Sequence, residues 1–292
     1  MTTNESSAYD TGSPRFAFGR NWKRFVPEIT DVRIALAQGS LKAMLQVDDL
    51  RGKSFLDIGS GSGLFSLAAK TLNAGRVFSF DYDPDSGACT RALKERFFAD
   101  DASWQIEQGS VLDLDYMSRF RDYDVVYSWG VLHHTGAMWT ALANATRPVA
   151  EGGRLFVAIY NDQGYVSTIW KQIKRVYCSG IAGRVIVLST VLPVLIAGRG
   201  AKDIVSGKNP IRRYGSDYTR SSRGMSPLRD IYDWLGGYPF EVATADELTR
   251  FFRQKGFSLD RLKAAGGTGC HELVLTRKGS TPAADRGGRS PS

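Results

Sequence analysis

From about Lys53 to Tyr160, short apolar runs alternate with helix-like stretches: SFLDIG, LFSLAAKTL, RVFSFD, SGACTRALKERFFA, DVVYSW, MWTALANATRPV and RLFVAIY. This rhythm calls for a parallel sheet with helices on both faces, because each strand-to-strand crossover returns through a helix. The strand runs are apolar throughout, as strands buried on both faces are. After Tyr160 the rhythm breaks. Residues 165–178 read as a helix, and VIVLSTVLPVLIAG at 185–198 is apolar, interrupted by Pro193 and bracketed by Arg184 and Arg199. That run is shorter than the roughly 20 residues a bilayer span needs. A basic, turn-rich stretch follows to about Gly224. Then TADELTRFFRQKGF reads as a capped helix from Thr244 to Gly256, and CHELVLTRK as a final strand. The organisation expected is a disordered lead at 1–14, N-terminal cap helices at 15–50, a core at 51–164 and 241–278, a lid or insertion at 165–240, and a disordered tail at 279–292.

Charge separates the insertion from the rest. Between Trp170 and Gly224 eleven Lys or Arg face two Asp, a net +9 in a chain whose net charge is +8, so the remainder sums to −1. An anionic partner is therefore expected to act through this one segment. Cys89, Cys178 and Cys270 are far apart, odd in number and form no C-x-x-C pair, which suggests neither a disulfide framework nor a zinc knuckle and fits reduced thiols in a cytoplasm. MTTNESSAYDTGSP lacks the basic-then-apolar profile of a secretory signal.

FLDIGSGSG, residues 55–63, sets Gly59, Gly61 and Gly63 between a strand and a helix. Glycines there permit a tight turn and let a ligand approach the helix N-terminus without a Cβ in the way. The next strand ends in Asp81, 20 residues beyond Gly61, where a carboxylate can take both hydroxyls of a ribose. Asp57 is a second carboxylate, at the end of the first strand. A pyrophosphate favours a helix N-terminus free of negative charge, whereas a sulfonium tolerates nearby acid, so Asp57 favours S-adenosylmethionine over a dinucleotide.

LDIGSGSG, FSFDYDP, EQGSVLDL, YDVVYSWGVLHHT and VAEGGRLFVAIY follow in the order and spacing that resemble the class I S-adenosylmethionine-dependent methyltransferases. The resemblance covers roughly residues 40–160 and 240–278, and within the family it looks most like the ubiquinone-biosynthesis O-methyltransferase type and related small-molecule enzymes. It implies a Rossmann-like, seven-stranded, mostly parallel sheet with an antiparallel last strand, FSLDRLKAAGGTGCHELVLTRK forming the closing hairpin, and a helical, basic insertion after strand five. It also implies that Asp57, Gly59, Ser60, Gly61 and Gly63 surround the methionine part and that Asp81 holds the ribose with Tyr82 beside the adenine. Val111 would pack on the adenine ring, and Ser128 and Trp129 would line the methionine end. Ser110 stands where many members carry an Asp that accepts from the adenine amino group, so adenine recognition is expected to lean on Asp113 or on backbone atoms. FAFGRNWKRFVP, residues 16–27, reads as an amphipathic helix over a sheet edge; in the family such a segment closes over the cofactor, with Arg20 and Trp22 near cofactor or acceptor.

SWGVLHHTGAMW puts His133 and His134 just after the fourth strand, at the carboxyl edge where open α/β sheets build their sites. A neutral imidazole of pKa ~6.5 suits proton removal from a phenol of pKa ~10. Adjacent residues do not point the same way, so one of the two is expected to face the acceptor. His134, at the position most often histidine in the family, is the first candidate base and His133 the second, each weighed against a role in fixing the loop. A metal site lacks an evident third ligand. Tyr160 and Asn161 after the fifth strand, and Trp234 and Tyr238 in DWLGGYPFEVA, are candidate acceptor-binding residues.

The expected function is methyl transfer from S-adenosyl-L-methionine to a small-molecule acceptor, a hydroxyl first, by a cytoplasmic enzyme. The basic insertion suggests a lipophilic or anionic acceptor and peripheral membrane contact through residues 165–224. RNA, with Tyr214 and Tyr218 stacking among the basic residues, ranks lower, so a tRNA methyltransferase is an alternative. A non-catalytic protein keeping the cofactor fold as scaffold is a second.

Overall fold

The computed structural model describes residues 15–207, 209 and 227–279. The expected disordered lead, most of the expected tail, and Tyr214 and Tyr218 lie outside the described residues. Seven strands form one sheet in the order β3-β2-β1-β4-β5-β7-β6. They are β1 (Ser54–Ile58), β2 (Arg76–Asp81), β3 (Trp104–Gln108), β4 (Tyr123–Trp129), β5 (Val149–Tyr160), β6 (Phe257–Lys263) and β7 (Cys270–Arg277). The first five run parallel, and β7 is antiparallel to both β5 and β6. Flanking them are α1 (Phe18–Phe25), α2 (Asp31–Leu45), α3 (Leu64–Thr71), α4 (Pro84–Phe98), α5 (Leu114–Ser118), α6 (Met138–Thr146), α7 (Tyr165–Cys178), α8 (Ile181–Val205), α9 (Pro227–Gly236) and α10 (Ala245–Gln254). This is the expected seven-stranded Rossmann-like sheet with an antiparallel closing hairpin.

The apolar runs bury two cores, one on each sheet face. Leu56, Ile58, Val126, Leu155 and Leu273 belong to one, and Phe55, Val77, Val125, Phe156 and Val274 to the other, which is why these strands show no polar alternation. SWQIEQ, which the apolar rhythm does not mark, is the edge strand β3: apart from Trp104 its side chains are partly or fully exposed. Thr244 caps α10 in a reciprocal box, its Oγ1 accepting the Glu247 N–H while Glu247 Oε2 accepts the Thr244 N–H, and Gly256 closes the turn at φ +85°.

The apolar run at 185–198 is not a short, interrupted segment. It lies inside the 25-residue helix α8, which continues through Pro193. A proline inside a helix costs about 3 kcal/mol. Val187, Leu188, Val191, Leu192 and Leu195, on both sides of Pro193, pack into one cluster with Ile173 and Tyr177 of α7 and Leu235 of α9. That shared contact holds both halves of the helix against α7 and α9.

Candidate active site

The strand order reverses between β1 and β4, whose carboxyl ends lie side by side and whose following loops open a crevice. Ser128 ties the two ends together, its Oγ donating to the Ile58 carbonyl at 2.9 Å. After β1 the glycine loop folds onto β2: the N–H groups of Gly59 and Ser60 donate to the Phe80 carbonyl at 2.8 and 3.1 Å. Gly61 N–H donates to Asp81 Oδ2, and Asp83 N–H to Asp81 Oδ1, both at 2.9 Å. Asp81 therefore fixes the loop at the mouth of the crevice. Gly63 has φ +82°, and a Cβ there would lie 2.8 Å from the Thr90 Cα. A Cβ on Gly59 would lie 2.4 Å from a Val131 methyl, so the glycine loop and the loop after β4 meet at that residue.

The two carboxylates face different ways. Asp57 Oδ2 accepts from Ser66 Oγ at 2.5 Å; Ser66 Oγ is 2.7 Å from Ser79 Oγ, which accepts the Trp104 indole N–H at 3.0 Å. This oxygen is thus anchored in the interior against α3. Burial pushes Asp57 up to about 7, against the pull of the Ser66 hydroxyl. Burial likewise pushes Asp81 up to about 6, against the hydrogen bonds from the loop. Both folded values exceed that of an unfolded aspartate, so the folded chain holds more protons than the unfolded one between about pH 4 and 7. The two groups therefore withdraw stability as pH rises through that range, and a ligand that favours their ionised forms restores it.

Helix α1 is seated over this loop. Gly19 N–H donates to Asp83 Oδ2 at 2.8 Å, and Lys23 pairs with Asp85 at 2.8 Å. A Cβ on Gly61 would come within 3.0 Å of the Trp22 indole nitrogen, so Trp22 roofs the glycine loop. Arg20, its companion in the sequence reading, is exposed. The N-terminal segment is a cover over the crevice, with Phe18 reaching the histidine loop, its ring 5.0 Å from that of His134.

The two histidines divide sharply. His134 Nδ1 lies 2.7 Å from the Pro239 carbonyl. A carbonyl only accepts, so Nδ1 carries the proton and Nε2 keeps its lone pair. Burial and the nearby Lys174 hold His134 down at about 3, the Pro239 carbonyl opposing them. His133 is buried, accepts the Tyr160 N–H on Nδ1 at 3.4 Å and engages the Ala158 carbonyl, which ties its loop to β5. Burial, then the neighbouring His134 and Lys174, push its pKa well down. The chain returning from the insertion clamps the same loop. Glu241 N–H donates to the His133 carbonyl at 3.0 Å, and both Glu241 carboxylate oxygens accept the Met138 N–H at the start of α6 at 3.1 Å.

Lys174 of α7, which nothing local in the sequence distinguishes from the other basic residues, is completely buried beside this loop. Its Nζ donates to the Trp234 carbonyl and lies 4.9 Å from the ring centroids of both Trp234 and Phe240 and 5.7 Å from that of Tyr160. The Tyr160 ring in turn stands 4.2 Å from His133. Tyr160 and Trp234 thus come together around a cation, while Tyr238 is linked through its carbonyl to the Phe16 N–H at 3.1 Å. Asn161 is drawn aside into the closing hairpin, donating to the Gly267 carbonyl and accepting from His271 Nε2 at 2.8 Å. Trp129 packs against the Phe55 core, Tyr82 is exposed under the Arg15 guanidinium, and Val111 is buried. Ser110 Oγ accepts the Leu112 N–H, and Asp113 caps α5 by accepting the Tyr116 N–H. Among the described residues no three His, Cys, Asp or Glu cluster as metal ligands would.

Residues 56–155 match the family model of a methyltransferase domain. No curated protein matches the sequence. Solved structures share the fold. A magnesium protoporphyrin IX methyltransferase from Synechocystis, solved with S-adenosylhomocysteine, aligns at 14% identity and TM-score 0.52 over 92% of this chain and 96% of its own. An O-methyltransferase family protein from Burkholderia thailandensis aligns at 11% identity and TM-score 0.54 over 89% of this chain and 60% of its own. A Haloferax volcanii chain from a complex with the Trm112 methyltransferase activator aligns at 14% identity and TM-score 0.53, over 91% of this chain and 100% of its own. The chain therefore has the fold of the S-adenosyl-L-methionine-dependent methyltransferases. The cofactor of that fold suits the residues present: a loop bare of Cβ atoms at Gly59, Gly61 and Gly63 faces a carboxylate, Asp81, already in place to accept hydrogen bonds.

Proposed function

We propose that this chain is an S-adenosyl-L-methionine-dependent methyltransferase that methylates a hydroxyl group of a small-molecule acceptor. The observation that carries the hydroxyl is the fixed tautomer of His134, whose protonated Nδ1 is held by Pro239 and whose Nε2 is left as an acceptor at the carboxyl edge of β4. Bound at the glycine loop, the cofactor would supply a methyl group on a sulfonium, a good leaving group, so alignment and exclusion of water supply most of the acceleration. Gly59, Gly61 and Gly63 would admit the methionine part, and Asp81 would accept the ribose hydroxyls. Trp22 and the rest of α1 would close over both. Phe18, Tyr160 and Phe240 would present flat apolar walls to an acceptor ring, and His134 Nε2 would accept its O–H.

In the resting site His134 does not take a proton near neutrality, because burial and Lys174 disfavour a second cation. Transfer changes this balance. The bound cofactor would supply a positive charge that is lost with its methyl group, so His134 Nε2 would take the acceptor's hydroxyl proton with no change in the net charge of the crevice.

His134→Ala should leave cofactor affinity within about twofold and lower kcat by about a hundredfold or more, as loss of a general base does. His134→Gln, which accepts a hydrogen bond but cannot take the proton, should not restore kcat, and recovery there would make His134 a positioning residue. With the wild type, kcat should show no acid limb near pH 6.5, and a limb there would assign His134 an exposed, ordinary imidazole. Cofactor affinity should rise between about pH 5.5 and 7.5 as Asp81 and Asp57 ionise, with proton release on binding visible by calorimetry in buffers of different ionisation enthalpy. The acceptor is identified by a labelled-donor screen of phenols, quinols, amines and tRNA; label confined to amines or tRNA would overturn the hydroxyl.

A further inference from the structure

Helix α8 breaks the rule that a surface helix is apolar on one face and polar on the other. Its inward stripe, Val187, Leu188, Val191, Leu192 and Leu195, packs on α7 and α9. The opposite side is apolar as well: Ile186 is 56% exposed, Val194 70% and Ile196 57%. From Val185 to Gly198 no residue carries a charge. Only 11% of its most apolar 18 residues are buried. Val166, Ile169 and Val176 on α7 are exposed beside them in the same hairpin. A patch of this kind exceeds the isolated apolar residues normal on a surface and marks an interaction face.

By length and composition α8 is the one helix among the described residues that could cross a membrane. Its packing along one side argues for a different disposition. To span a bilayer, α8 would have to leave the cluster it forms with Tyr177 and Leu235, exposing both. Lying in the bilayer plane, it keeps that contact and covers only its outer side. Charge selects the partner. Lys171, Arg175, Arg184 and Lys202 are exposed on the hairpin, and the segment from Trp170 to Gly224 carries net +9. A second copy would bring like charge against like charge, whereas an anionic bilayer supplies hydrocarbon for the outer side and negative headgroups for its flanks.

We infer that the α7–α8 hairpin docks in plane on an anionic membrane surface, with the outer side of α8 in the headgroup–acyl boundary. Resting on the proposed methyltransferase reading, this makes the acceptor a membrane-dissolved compound. The hairpin starts five residues after Tyr160 and carries Lys174 into the histidine site, so docking sets the acceptor side of the crevice against the lipid phase.

The test is flotation of the full chain with vesicles of phosphatidylcholine alone or with about a third phosphatidylglycerol, at low and high salt. The wild type should partition at least tenfold more onto the anionic vesicles at low salt, with part of that binding resisting high salt because of apolar contact. Ile186→Glu with Ile196→Glu should lower anionic-vesicle binding at least tenfold. Val32→Glu, the same change at an exposed position of α2, should not. Retained binding in the double variant overturns the assignment of the face. A wild type that ignores both vesicles overturns membrane docking: if it sediments as a dimer that the double variant dissociates, the cover is a second copy, and if it is monomeric the cover is its own chain. Cofactor titration of the double variant separates the two readings, because intact cofactor binding with lost flotation touches only the membrane.

Discussion

Asp81→Ala is expected to lower affinity for S-adenosyl-L-methionine by about a hundredfold or more. Asp81 stands at the end of β2 with one oxygen on the Gly61 N–H and the other on the Asp83 N–H. Hydrogen bonds to a charged group contribute about 1.5–3 kcal/mol each, so losing two from ribose hydroxyls costs roughly 3–6 kcal/mol of binding. The substitution also releases the Gly61 N–H and with it the geometry of the loop beneath Trp22. Asp81→Asn, which still accepts one bond, should lose less. Isothermal titration measures both, and a loss below about tenfold for the alanine variant would move the ribose away from β2.

Gly63→Ala is expected to destabilise the fold by about 2–5 kcal/mol, the sum of a left-handed backbone penalty and overpacking. At φ +82° an L side chain is strained whatever the space, and here the added Cβ meets the Thr90 Cα at 2.8 Å, main chain that cannot rotate away. For a domain of this size such a loss lowers Tm by roughly 5–15 °C. Gly61→Ala makes a useful contrast. At φ +56° it carries a left-handed penalty too, but its Cβ would meet only the Trp22 indole at 3.0 Å, so it should cost less stability than Gly63→Ala while disturbing the seat of α1 and cofactor binding. Calorimetric melting of both variants checks the order; an unchanged Tm for Gly63→Ala would mean that α4 shifts to admit the methyl.

Much of the scaffold was legible because its signals are local or periodic. Apolar runs such as RVFSFD and RLFVAIY report burial on both sheet faces, and T-x-x-E at the start of an amphipathic helix reports the α10 cap. Edge strand β3 escapes that rule because its side chains other than Trp104 are partly or fully exposed. The full length of α8 is not legible locally because proline is a local breaker, whereas packing on both sides of Pro193 holds the helix together.

By itself, the sequence determined the sheet, the glycine loop, and Asp81 as the carboxylate facing that loop, since a turn after a strand and an acid at the next strand's end lie within one supersecondary unit. Tertiary structure alone decided what the histidines are. His134 takes its tautomer from Pro239, 105 residues away, and His133 is spent on the backbone of β5. Lys174 became part of the site only when α7 folded back under Trp234, 60 residues on. Such contacts join residues far apart in the chain, and burial, which sets the proton affinity of His134, belongs to the packed molecule and to no short stretch of sequence.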